Sequence, residues 1–145
     1  MRRSTLIAAA LLLSSVSLAP AQNMAVNSQD VYWVATLDIP PGHMDGFKKA
    51  IAGLTELTKN EPGTLEYVYL VSDDQKTVEI WERYKDSDAV MYHLTKTFPQ
   101  HSKEFLENSK ITKVVVYGNP NEEVKKAMSQ FNPVYFKPIE GFARN

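Results

Sequence analysis

Between Val31 and Tyr117 the apolar residues change period at each Pro or Gly boundary, and the order of those periods restricts the chain to few folds. Residues 31–39 (VYWVATLDI) are rich in β-branched and aromatic side chains and stop at Pro40-Pro41-Gly42, which predicts a first strand. Phe47, Ala50, Ile51, Leu54, Leu57 and Thr58 then recur at three- and four-residue steps. They predict an amphipathic helix closing near Asn60, ahead of Pro62-Gly63. Residues 64–71 and 77–84 both read as strands, and the polar tip at 72–75 joins them as a hairpin. Asp86 or Ser87 is placed to cap a second helix carrying Val90, Met91, Leu94 and Phe98. Pro99 lacks an N–H, so that helix should break near 97–99, with Pro99 opening a second piece through Phe105 and Leu106. Residues 111–117 predict a fourth strand.

The resulting order, βαββαβ, is α+β and ferredoxin-like: an antiparallel sheet with both helices on one face. In the first strand Trp33, Ala35, Leu37 and Ile39 alternate with Tyr32, Val34, Thr36 and Asp38, and both rows are substantially apolar. A sheet with one wet face would show a more polar second row. The uncovered face therefore predicts a second sheet, most simply from an identical subunit, packed there and enclosing a cavity. The expected assembly is a homodimer.

The ends of the chain carry different messages. Arg2 and Arg3, an apolar stretch from Leu6 to Leu18 and the small-x-small site Ala19-Pro20-Ala21 predict a signal peptide over 1–21. The apolar run is shorter than the roughly 20 residues that span a bilayer, so no membrane anchor is expected after cleavage. The mature protein is expected in the periplasm or outside the cell, with a disordered polar leader over 22–30. At the other end, a short helix over 122–131 precedes an aromatic tail. Pro133 and Pro138 cannot donate into a sheet ladder, which argues for an extended arm and against an ordinary fifth strand. Its Val134, Tyr135, Phe136, Ile139 and Phe142 should dock on the dimer seam or at the pocket mouth. The domain is thus 31–118, with a C-terminal helix and arm over 119–145.

Lys plus Arg number 16 against 17 Asp plus Glu, so no basic field attracts nucleic acid, and a small, weakly charged ligand is expected. Cysteine is absent, leaving His, carboxylates, Tyr and Trp to carry any chemistry. The three histidines show no metal-ligand spacing, and no glycine-rich phosphate loop is present. Neither a metal nor a cofactor is expected.

EPGTLEYVYL at 61–70, EIWERYKDSDAVMYHL at 79–94 and HSKEF at 101–105, taken in order and spacing, resemble the antibiotic biosynthesis monooxygenase family of dimeric α/β barrels. The likeness spans roughly 31–118. It implies a pocket for a planar aromatic or similar small molecule and, in several members, oxidation of quinols or anthrones by dioxygen without metal or organic cofactor. Other members degrade haem, isomerise small molecules or have no assigned activity. Haem degradation is disfavoured: His101 sits near the iron-binding histidine of those relatives, but Ala35 and His93 replace their Asn and Trp.

The resemblance implies His93 in the pocket wall and His101 as a second histidine, both suited to acid–base work near neutral pH. Glu82 shares its strand row with Val78, Ile80 and Tyr84, so it must find a partner or become neutral. It would orient a histidine or bind a ligand hydroxyl. Tyr67, Tyr69, Trp81 and Tyr84 offer flat surfaces for an aromatic ligand. The expectation is an exported, cofactor-independent monooxygenase of quinol-like substrates in which His93 or His101 takes a proton. A binding or stress-related module without turnover and an acid–base isomerase are the alternatives.

Overall fold

The structure is a computed structural model that describes residues 29–141. The signal peptide, most of the leader and Phe142 lie outside the described residues. In chain order the elements are β1 (Val31–Asp38), α1 (Met44–Thr58), β2 (Thr64–Val71), β3 (Thr77–Tyr84), α2 (Ser87–Tyr92), α3 (Ser102–Glu107), β4 (Lys110–Gly118), α4 (Glu122–Met128) and β5 (Val134–Phe136). β1 pairs antiparallel with β3 on one side and β4 on the other, and β2 completes the edge, giving the order β2-β3-β1-β4-β5. The first four strands are the expected ferredoxin-like sheet.

Periodicity explains which face is covered. Trp33, Leu37 and Ile80 on the inward rows are buried against Phe47, Leu54 and Phe105 of the helices. Each such side chain contributes roughly 1.5–3 kcal/mol on leaving water. The helices start where their caps are: Asp86 accepts from the Ala89 N–H at 2.8 Å, and Asn121 accepts from the Val124 N–H at 2.9 Å. The break expected at 97–99 is broader than a single kink. A π-helical turn spans His93–Thr97, a 3-10 turn containing Pro99 spans Phe98–Gln100, and α3 opens at Ser102. Pro99 therefore sits before the second helical piece and does not begin it.

Two expectations are corrected. Asp30 is no part of a loose leader: it is buried, and its carboxylate accepts from Arg83 Nε at 3.0 Å and Nη2 at 2.7 Å. The tail also forms a fifth strand, with Val134, Tyr135 and Phe136 paired in parallel to Val115, Val116 and Tyr117. Pro133 and Pro138 stand outside these three residues, so the ladder never asks them for an N–H. Parallel pairing requires a crossover, and α4 supplies it. Asn132, in the left-handed region at φ 47°, turns the chain from a 3-10 turn (Ser129–Phe131) into β5.

No described element covers the other sheet face. It presents Val68, Leu70, Trp81 and Phe136, each 45–53% exposed, and a stack in which Tyr32 lies on Tyr117 and Tyr117 on Phe136. Among the described residues, no helix is long and apolar enough to cross a membrane.

Candidate active site

The chain turns out of α1 through Glu61-Pro62-Gly63, and that turn lies directly on α2. A Cβ on Gly63 would meet the Ala89 Cβ at 2.4 Å, so glycine is what lets the two backbones approach. His93 is one helical turn beyond Ala89 on the same face. Glu61 is thereby delivered to it: Glu61 Oε1 lies 3.0 Å from His93 Nδ1. The Thr64 hydroxyl donates to the second oxygen of Glu61.

The far side of the imidazole faces β3. His93 Nε2 is 3.8 Å from Glu82 Oε2, which also accepts from the Tyr84 hydroxyl at 2.5 Å. Separation of 3.8 Å is too long for a direct hydrogen bond. An oxygen atom set to one side of the line joining them, on the cavity side, can hydrogen-bond to both. His93 is only 2% exposed, Glu61 and Glu82 7% each, so the triad is inside the molecule.

Burial and hydrogen bonding set the charges in opposite directions. Burial raises the Glu82 carboxyl above its usual range, even though His93, Tyr84 and Trp33 all favour its anion. Burial acts the same way on Glu61, but donors from His93, Thr64 and Thr97 outweigh it and hold that carboxyl low. Burial alone would depress His93, yet the Glu61 hydrogen bond and the charges of Glu82 and Glu61 raise it. Glu61 and His93 therefore form the ion pair, and Glu82 is the member poised to take up a proton. Burial first, then the Glu82 charge, pushes the Tyr67, Tyr69 and Tyr84 phenols up, so they serve as neutral donors.

These groups open onto a narrow apolar cavity of about 50 Å3 that continues into an open mouth. Glu82 and His93 are its polar end, with Tyr67 beside them. Trp33 and Ala35 of β1 lie on the sheet side, Phe98 and Phe105 come from the helical layer, and Ile111, Val114, Met128 and Phe131 complete the wall. The cavity lies between the sheet and its own helices, within one subunit, and not between two sheets as the bare sheet face suggested. Among the described residues, no group of three His, Cys, Asp or Glu side chains is placed to hold a metal ion.

The sequence-derived residues separate accordingly. Glu82, His93 and Tyr67 share the cavity wall. Tyr84 stands behind Glu82 as its donor, and Tyr69 behind Tyr67, the two hydroxyls 2.6 Å apart. Trp81 is on the opposite sheet face and 49% exposed, a consequence of strand alternation that puts it out of step with Glu82. It belongs to the open face and cannot stack on a ligand in this cavity. His101 is also outside the cavity wall: the helical break carries it onto α1, where its ring occupies the space beside Gly53. Sequence reasoning assigned no role to Glu61, Trp33, Phe98, Met128 or Phe131. For Glu61 a signal existed, a carboxylate heading a Pro-Gly turn, but its partner is 32 residues away.

The domain is thus α+β and ferredoxin-like, with a buried carboxylate–imidazole–carboxylate set at the end of an apolar cavity. The model of the antibiotic biosynthesis monooxygenase family matches residues 30–108, more than half of the chain, and the chain belongs to that family. Among solved structures, MupZ from Pseudomonas fluorescens aligns with a TM-score of 0.72 at 23% identity, over 80% of this chain and 95% of that one. SnoaB, a cofactor-independent oxygenase from Streptomyces nogalater, aligns with a TM-score of 0.56 at 17% identity, over 64% of this chain and 95% of that one. Protein SO0527 from Shewanella oneidensis reaches a TM-score of 0.55 at 27% identity, over 62% of this chain and 90% of that one. No curated protein matches the chain significantly.

Proposed function

We propose that this protein is an exported, homodimeric, cofactor-independent monooxygenase of a small quinol-like or anthrone-like aromatic molecule. The observation that carries this reading is the 3.8 Å gap between His93 Nε2 and Glu82 Oε2 at the polar end of an apolar cavity. A substrate hydroxyl on the cavity side of these two groups donates its proton to Glu82 and accepts a hydrogen bond from the imidazolium, whose other N–H is held by Glu61. The substrate becomes an electron-rich anion in a site shielded from water.

That anion is the reductant. It passes one electron to dioxygen, the radical pair recombines as a carbon-bound peroxide, and loss of water leaves a carbonyl. In sum, one methylene and one O2 give one carbonyl and one water, with all four electrons drawn from the substrate. Glu82 returns its proton to the peroxide oxygen. The kinship with a family that includes a cofactor-independent oxygenase supports the reaction class. The basic, apolar, small-x-small start of the chain supports export, and the exposed apolar sheet face supports pairing of two copies.

The test is oxygen uptake on adding an anthrone, such as 1,8-dihydroxyanthrone, to the purified protein. Uptake of one O2 per substrate, lost in Glu82→Gln, is expected. Uptake no faster than spontaneous autoxidation overturns the oxygenase reading. Isotope exchange at the methylene without oxygen uptake would assign the same three residues to acid–base isomerisation.

A further inference from the structure

The C-terminal crossover lies outside the 30–108 stretch matched by the family model, yet it contributes Met128 and Phe131 to the cavity wall. We infer that this crossover sets the length of molecule the cavity accepts, with Met128 and Phe131 as the specificity-determining residues. The inference rests on the reading of the cavity as a site for a flat aromatic ligand, and not on turnover.

The sheet register fixes the layout. Glu82 of β3 is paired with Trp33 of β1, while Ile80, Ala35 and Val114 run in a row across β3, β1 and β4. β3 and β4 therefore flank β1, two strand spacings or about 10 Å apart. His93 packs over the β2–β3 side, its ring 5.4 Å from Tyr67 and 5.6 Å from Tyr84. Met128 and Phe131 stand over the β4 side, because the crossover has to return to β5 beyond β4. A ligand with its hydroxyl against His93 and Glu82 thus extends across Trp33 and Ala35 toward the crossover. The apolar far end of the ligand meets Met128 and Phe131.

The crossover is also held rigidly enough to act as a stop. Met128 is 2% exposed and Val124 fully buried, Asn121 caps α4, and the Asn121 N–H donates to Ser87 Oγ at 3.0 Å. On the far side β5 is pinned to β4 by its parallel pairing and by the stacking of Phe136 on Tyr117. The strand that the flanking prolines seemed to forbid is the anchor of the end wall. The ligand class this layout addresses is an aromatic with one ionisable hydroxyl at the His93–Glu82 end and no charge at the end that meets the crossover.

Calorimetric titration with 1-naphthol and 1-hydroxyanthracene tests this independently of catalysis. Shortening the wall by Met128→Ala or Phe131→Ala should shift the ratio of the two Kd values about 10-fold toward the three-ring probe, the usual worth of a changed apolar contact in a pocket. Phe131→Trp should shift it the other way. Because Met128 is buried, circular dichroism accompanies each variant. The half-buried Phe131 keeps the test open should Met128→Ala unfold. An unchanged ratio in both Phe131 variants, or no binding of either probe to the parent protein, overturns the inference. A shifted ratio without oxygen uptake leaves the inference standing and removes the oxygenase reading.

Discussion

The two faces of the sheet invert the usual rule. On the face covered by helices, two carboxylates and an imidazole are buried almost completely. On the bare face, a Trp, a Phe and several aliphatic side chains are about half exposed. Buried charge survives only when it is partnered: Glu61 is hydrogen-bonded to His93 and Glu82 accepts from Tyr84, with the imidazole 3.8 Å away. Exposed apolar area of this extent calls for a cover that none of the described elements provides. The covered face therefore holds the candidate site, and the bare face carries the interface we propose for a second copy.

Four experiments put the difference between the two faces at risk. The largest effect is expected from Glu61→Ala, which leaves the buried imidazole without its partner and should cost ~3–5 kcal/mol of stability in urea unfolding. A change near zero would mean that Glu61 and His93 are not a buried ion pair. On the bare face, Trp81→Asp should weaken self-association by about 2 kcal/mol, as loss of a central aromatic anchor does. Sedimentation should show this with secondary structure retained, and a protein already monomeric at micromolar concentration would remove the interface.

A third experiment uses pH. The His93 pKa is raised from 6.5, so its contribution to stability is complete below 6.5 and is lost as pH rises through the raised value. Glu82, raised from 4.5, has the same sign, its contribution falling as pH rises from 4.5 upward. Glu61 is lowered from 4.5, so its contribution is present above 4.5 and lost as pH falls. Maximal stability should fall in the weakly acidic range. Glu82→Gln should flatten the decline on the alkaline side, and melting profiles identical to the parent would contradict the assignment. The smallest effect is expected from His101→Ala, a partly exposed residue outside the cavity, within about 0.5 kcal/mol. Oxygen uptake abolished in this variant would return His101 to the site.

Much of this was legible in the residues. Period alone located β1, β2 and β3 to within a residue, Asp86 marked the start of α2, and Pro99 marked the break. Glu82 stood out as a charge in an apolar row, and it is a member of the triad. What failed did so for identifiable reasons. Trp81 was attractive by type, but strand alternation sends it to the face opposite Glu82. His101 shares a helical face with Leu94 and Phe105 only if the helix continues, and the break spread over 93–100 rotates it away. β5 was discounted because prolines exclude their own N–H groups from a ladder, while the three residues between them remain free to pair.

The periods, the caps, the breaks and the strand rows are written in the residues alone, because each depends on positions a few apart. Packing of the whole domain settled which row faces the helices, that Glu61 reaches His93 across a glycine contact, and that the crossover through α4 returns over the cavity. These are pairings between distant residues. They are settled by packing and by the high free energy of leaving a buried charge unpartnered, neither of which any local pattern records.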